Sequence, residues 1–485
     1  MSAAQAALLA DPTRLRCALI FRAALTKPWE ETFPLATAGQ AGWQEGALQV
    51  KHAAFGEGAT PGQHTTIAQQ ARETDFFPEI KERLLSPRRR RWQLLANPWK
   101  LDIDVTPRSG ESEHPGAAQH VQLLVQALET LRVEEKFALV VVHAEVTCTG
   151  PNELHRALRL TNELMNLIDE LQQRLTTGAH CEDSELGACG EVGGQLPARP
   201  FVLTWVPSSR WQGAVENGDD ALAEAGWRWG HLQGMWGPPY DDTQAELARE
   251  RLERFSSNWA VAVYPRGVAV LPSGADNRFW PLALGQTLTQ FVDVCLLLEL
   301  DRLQVRKLSR QIAEVARDVE RSLSELANNA GPSTDRDALI YRALQLDGRA
   351  AVFLASEWWP HVTDRINAGK LLAKLQSVSG VNGMVEQVVN QARTVRESVQ
   401  SLLEYREQRS ARFREKALGL LGFVGVPLTV CLELWANWSS APLVERLGSV
   451  CGVLSFAWWV VAVPILIGLV MALMLKVPVR DFFRR

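Results

Sequence analysis

A chain of 485 residues, 46% hydrophobic and 22% charged, is long enough for two or three compact units. Its 51 basic and 55 acidic residues leave a formal net charge of -4, which excludes an overall electrostatic footprint for nucleic acid, and no nucleic-acid partner is expected. A mean hydropathy of -0.09 excludes a chain that is membrane-embedded along its whole length. The seven cysteines (Cys17, Cys148, Cys181, Cys189, Cys295, Cys431 and Cys451) are scattered and odd in number, which argues for a reduced compartment rather than a disulfide framework.

The first part, residues 1–278, reads as a mixed α/β domain. The start, MSAAQAALLADPTRLR, has no basic region followed by an apolar one, so no secretory signal is expected. Runs rich in branched apolar residues at Arg16–Phe21, Ala138–Val146 and Phe201–Val206 are expected as buried strands, and Leu48–His52 and Leu101–Val105 as half-buried ones. Between them, Ala118–Val133 places Val121, Leu124, Val125, Leu128 and Leu131 at helical spacing, which predicts a helix. A second helix is expected to begin at Asn152 and to carry Leu154, Leu158, Leu164, Leu167 and Leu171. Thr106–Gly116 and Thr176–Pro200 read as exposed loops, and Trp259–Tyr264 with Gly267–Leu271 as a hairpin turning at Pro265 and Arg266.

Residues 279–416 change to helix. A long helical stretch from Leu282 to Leu326 ends at Asn328, Asn329, Gly331 and Pro332, and a second runs from Asp335 to Trp358. A return through His361–Val378 meets Ser379, Gly380, Asn382 and Gly383. Then Met384, Val388, Ala392, Val395, Val399 and Leu402 step by 4, 4, 3, 4 and 3 residues, near the average of a coiled-coil seam. Such a stalk needs neighbours, supplied either by other copies of the chain or by its own helical hairpin.

Two apolar segments follow within 417–475. Ala417–Ala436 is 20 residues long with one charge, Glu433, and Leu447–Leu475 has no charge in 29 residues. Each matches the length that a helix needs to cross a bilayer. Arg406, Arg409, Arg412, Arg414 and Lys416 precede the first segment, and the basic tail 476–485 follows the second. The preference of flanking cations for the cytoplasmic side places both termini inside, in a multi-pass protein of the inner or plasma membrane. Along the first segment Gly422, Val426, Thr429, Glu433 and Asn437 share one small, polar and acidic face. A carboxylate at that depth faces a bundle interior or water, and in a symmetric oligomer it would form a cation-attracting ring; the plain alternative is a side chain that reaches interfacial water.

Other signals are weaker. Arg88–Arg91 could hold phosphate or a small signalling ligand, or be a solvated charge run. His143-Ala-Glu145 has the spacing of a zinc-deaminase motif without its Pro-Cys-x-x-Cys, and reads as structural strand. His180, Cys181, Glu182, Asp183 and Cys189 are metal-ligand types without tight pairing. No phosphate-binding loop or nucleophile elbow stands out, so no enzymatic activity is expected, and no cofactor beyond a transported or gating divalent cation.

A large N-terminal α/β domain, a long helix entering a segment with Val426-Pro427-Leu428-Thr429, a short loop at Asn437–Arg446, a second apolar segment and a basic tail together resemble the CorA family of divalent-cation channels. The resemblance is architectural over most of the chain and motif-level over Gly425–Trp438. It implies a CorA-like fold, a homopentamer, and a pore lined by Glu433, Asn437, Thr429, Val426 and Gly422 and gated by the cytoplasmic domain. The family closes its first span with aromatic-Gly-Met-Asn, whereas this chain reads Leu434-Trp435-Ala436-Asn437-Trp438, so Mg²⁺ selectivity is not carried over. The second reading is a ligand-sensing membrane effector whose pore opens on a signal.

Overall fold

The computed structural model describes residues 13–25, 27–36, 42–48, 75–104, 120–148, 150–158, 179–181, 200–211, 218–230, 241–273, 280–327, 335–359, 361–363 and 365–440. The expected loop at Thr106–Gly116, the second apolar segment, the basic tail and Cys189 lie outside these residues. The chain divides into two compact units, Met1–Glu314 with Gln345–Ala392, and Val315–Leu344 with Arg393–Arg485.

The first unit is built on a ten-stranded sheet. Its strands are β1 (Arg16–Leu25), β2 (Gln44–Glu45), β3 (Arg90–Asp104), β4 (His120–Glu134), β5 (Phe137–Thr147), β6 (Ala179–Cys181), β7 (Phe201–Trp205), β8 (Leu252–Ser256), β9 (Trp259–Tyr264) and β10 (Gly267–Pro272). They lie in the order β2-β3-β4-β5-β1-β7-β10-β9-β8, with β6 also on β1. All neighbours are antiparallel except β7 and β10. The expected strands at β1, β5 and β7 and the hairpin β9–β10 are present, and β6 interrupts the loop expected at Thr176–Pro200.

Of the helix expected at Ala118–Val133, the described residues are strand: the segment His120–Glu134 is β4, the third strand from its edge of the sheet. The cause is a bulge at Gln126. Val121, Leu123 and Val125 alternate onto one face, and both neighbours skip Gln126 in register, after which Leu128 joins the same face. An inserted residue shifts the period-two phase, and the resulting spacing imitates a helix. Opposite the bulge, β3 is irregular between Leu94 and Trp99, and Pro98 sits where no ladder N–H is required.

One sheet face carries Leu19, Phe21, Leu123, Val125, Val140, Val142, Ala260, Ala262 and Leu271. Helices α3 (Pro151–Ala157), α4 (Gly218–Gly230) and α5 (Asp242–Arg251) accompany this face; α4 packs on β7, β9 and β10. The approach is close because two glycines face the strands. A Cβ on Gly226 would meet Ala262 Cβ at 2.4 Å, and one on Gly230 would meet the Tyr264 ring at 2.5 Å.

The other face meets a long helical run: α6 (Trp280–Gln286), a π-helical turn at Thr287–Phe291, and α7 (Val292–Ala327). Phe291 stacks on Trp259 of β9 at 5.4 Å between ring centroids. Among the described residues one helix, Ala283–Ser322, is long and apolar enough to cross a membrane, but 89% of its most apolar stretch is buried inside the chain. It serves as a core helix. The shorter helices α1 (Trp29–Thr32) and α2 (Pro78–Leu84) complete the front of this unit.

The remaining helices are α8 (Asp335–Ser356), α9 (Ile366–Ser379) and α10 (Val381–Ser440). The turn between α9 and α10 is at Gly380, whose φ of +67° is the left-handed conformation of a helix C-cap. Asn382 and Gly383, expected as breakers, lie inside α10. That helix then continues for 60 residues without interruption, about 90 Å. Asn437–Ser440 is therefore helical rather than loop. In the first unit Val381, Val385, Val388 and Ala392 are buried; in the second, Val395 and Val399 are buried and Asp318 of α7 pairs with Arg342 of α8 at 3.2 Å. Four positions of the heptad seam, Val388, Ala392, Val395 and Val399, are thus covered within a single chain, and self-association is not needed to account for them.

Candidate functional site

Charged side chains are costly to bury unless they are paired and fully hydrogen-bonded, yet the sheet face toward α7 is lined with them. Arg90 of β3 donates through Nε and Nη2 to Glu129 of β4 at 3.0 and 2.7 Å, and through Nη1 to Asp293 of α7 at 2.6 Å and to the Leu84 carbonyl at 3.2 Å. Both Arg90 and Glu129 are 0% exposed. Glu129 also accepts the Leu48 N–H at 2.8 Å and lies 2.8 Å from His143 Nε2. Burial alone would pull the Arg90 pKa down, but the two carboxylates outweigh it and hold it above the ordinary value.

A second polar group forms at the bulge. Gln126 accepts from Arg16 at 2.5 Å and donates to Glu145, which also pairs with Arg14 at 2.5 Å. The bulge re-aims this amide.

Further along α7, Glu299 receives Arg22 of β1 at 2.6 Å and Arg302 at 2.7 Å. Burial would raise the Glu299 carboxyl, but Arg22 and Arg302 prevail and pull it down to about 2. Arg302 also donates to the Pro265 carbonyl in the β9–β10 turn at 2.7 Å. On another side of the helix, Asp301 accepts from Arg83 of α2 at 2.9 Å. Arg83 is shared with the Glu357 carbonyl and Gln304 at 2.5 and 2.7 Å. Here burial wins: Asp301 Oδ2 has no hydrogen-bond partner and the carboxyl is pushed up to about 7. The sheet, α2 and α7 are thereby joined by a seam of buried ion pairs within the first unit.

The residues singled out from sequence divide. Gly422, Thr429 and Glu433 lie on α10 and are exposed in the single chain; Val426 and Asn437 lie on the same helix. The Thr429 hydroxyl donates to the Gly425 carbonyl, one turn back, beside Pro427. A Cβ added at Gly419, Gly422 or Gly425 would meet nothing within 4 Å, and Phe413 and Leu418 are exposed. The four arginines do not form one run: Arg88 and Arg89 are exposed in a turn, whereas Arg90 and Arg91 are buried in β3, with Arg91 over the Trp29 ring at 4.2 Å. The Arg90 guanidinium is committed to Glu129 and Asp293. His143 and Glu145 are buried strand residues of this network, and His180 and Cys181 lie in β6. Among the described residues no cluster of three or more metal-ligating side chains occurs. Cys17 and Cys148 are buried thiols pushed up by burial to about 12 and about 11, far from a reactive thiolate.

The seam itself was not anticipated from sequence. The usable signal was the density of charge in otherwise apolar segments, Asp293, Glu299, Asp301 and Arg302 in a buried helix and Glu129 within an apolar strand, since such residues are rarely buried unless paired.

No family model and no curated protein matches the chain. The solved "structure of the full-length CmaX protein" aligns at 12% sequence identity over 59% of this chain and 94% of that one, with a TM-score of 0.25, a likeness too low to carry an argument about fold or function.

Proposed function

We propose that the chain is a self-associating, CorA-like cation channel of the inner or plasma membrane, in which Ala417–Ala436 lines the pore and the sheet domain governs opening. The observation that carries this reading is α10: one unbroken helix from Val381 to Ser440 that passes through the apolar segment and leaves Gly422, Thr429 and Glu433 uncovered by their own chain. An uncovered carboxylate on an apolar helix needs water or other copies around it, and a ring of such groups attracts cations. Small residues with open space over them let helices approach closely. Pro427 inside the helix is tolerated in such a setting.

Glu433 and Asn437 form the outer mouth, with Thr429, Val426 and Gly422 deeper. The buried ion pairs give the sheet domain a rigid grip on α7, which supports a gating role for that domain. A sheet domain of this size also suits the second reading, a pore opened by a bound signal. The test is the mass of the detergent-solubilised protein together with cation flux from liposomes. A multimer with flux is expected; a monomer without flux removes both readings.

A further inference from the structure

Two buried aspartates of the first unit fasten the connector between α8 and α9, and they are satisfied unequally. At one end Asp75, just before α2, uses both carboxylate oxygens: Oδ1 accepts from Arg365 and Oδ2 from Gln290, each at 2.7 Å. The backbone is held there too, since Phe77 donates its N–H to the Val362 carbonyl at 3.0 Å. At the other end Arg83 of α2 donates to Asp301 Oδ1 at 2.9 Å, to Gln304 at 2.7 Å and to the Glu357 carbonyl at 2.5 Å. Asp301 is 1% exposed, and its Oδ2 has no hydrogen-bond partner. Arg83 from α2 faces it as a cation and Glu357, just past the end of α8, as a second acid. On α7 itself, Glu299 and Arg302 pair with each other on another side of the helix.

We propose that Asp301 and Arg83 are a proton-operated clasp, which holds the start of the α8–α9 connector against α2 and α7 while Asp301 is protonated and loosens when Asp301 ionises. A buried carboxylate with one oxygen unbonded disfavours its charged form. A movement of Arg83 and Glu357 that lets water reach Oδ2 removes this penalty, so the ionised acid favours the open arrangement. Burial pushes the Asp301 carboxyl up to about 7, against the pull of Arg83. Exposed to water in the open arrangement, it returns to about 4. Because the raised value belongs to the closed state, closure is strongest below about pH 4 and weakens as pH rises through about 7. Asp75, with both oxygens bonded, holds the other end of the connector, so the opening is local to Arg83 and Glu357. The clasp operates whether or not the chain conducts.

The experiment is native-state hydrogen exchange of the full chain in a neutral detergent at pH 6, 7 and 8, with rates corrected for the intrinsic pH dependence of amide exchange. In wild type, peptides covering 78–85 and 353–359 are expected to lose about tenfold in protection from pH 6 to pH 8, the ratio set by a carboxyl at about 7 closed and about 4 open. A peptide covering the β9–β10 hairpin, 259–272, is expected to hold its protection over the same range. Asp301→Asn keeps the shape and cannot ionise, and its protection at 78–85 and 353–359 is expected to be independent of pH. Constant protection of these peptides in wild type, a loss shared equally by 259–272, or the same loss in Asp301→Asn would each overturn the proposal.

Discussion

Replacing Arg90 by Met keeps most of the side chain's volume but removes the guanidinium that pairs with both Glu129 and Asp293 in the interior. Breaking a buried ion pair by removing one partner costs about 3–5 kcal/mol. A second route sets an upper limit: a carboxylate deprived of its guanidinium can take up a proton instead, at about 1.4 kcal/mol per pH unit above the ordinary carboxylate range near 4, or about 8 kcal/mol for two of them at pH 7. Because the second route limits the first, the loss in Arg90→Met should shrink as pH falls. Denaturant unfolding of the full chain followed by tryptophan fluorescence should show a loss of about 3–5 kcal/mol at pH 7.5 and visibly less at pH 5. Adding Glu129→Gln and Asp293→Asn should recover most of the loss. A loss under about 1 kcal/mol at pH 7.5, or one independent of pH, would refute the reasoning that this triad is a buried, mutually dependent unit.

Three further outcomes follow from the same geometry. Glu299 has its folded-state pKa depressed to about 2, so its stabilisation is present above about pH 4.5 and is lost as pH falls toward 2; Glu299→Gln should flatten this acid limb, worth about 3 kcal/mol, in an acid titration of stability. Asp301 is shifted the other way, to about 7, so its burial penalty grows between about pH 4 and pH 7; the stability of Asp301→Asn relative to wild type should therefore rise from pH 5 to pH 8, and a constant difference would contradict this. Gly226→Val should cost about 3 kcal/mol or prevent folding, because its Cβ would lie 2.4 Å from Ala262 Cβ on a strand that cannot retreat; circular dichroism and melting temperature report it.

The sheet was legible where burial on both faces leaves a continuous branched run, as in β1, β5 and β7, and where Pro265 and Arg266 mark a two-residue turn. It was illegible at β4, because the bulge at Gln126 turns alternation into helical spacing. The long helix was readable over 384–436 and continues past both expected ends, through Asn382 and Gly383 at one and through Asn437–Ser440 at the other. Its function was less so: Val385, Val388, Ala392, Val395 and Val399 are buried in the single chain, so a heptad pattern reported the chain's own packing. The Glu299 cluster could not be read from sequence at all. Arg22 and Arg302 are separated by 280 positions, and only the packing of α7 across β1 brings both onto Glu299. The run Arg88–Arg91 was conspicuous by contrast, but strand geometry turns Arg90 inward to Glu129 while leaving Arg88 and Arg89 in solvent.

The most direct test of the pore is the charge selectivity of reconstituted protein under a salt gradient, measured as a reversal potential for wild type and for Glu433→Lys. If carboxylates on the exposed face of α10 ring the mouth, wild type conducts cations in preference to anions, and Glu433→Lys moves the reversal potential toward the anion value. An identical reversal potential in the two proteins, with both conducting, would show that Glu433 does not face the conduction path.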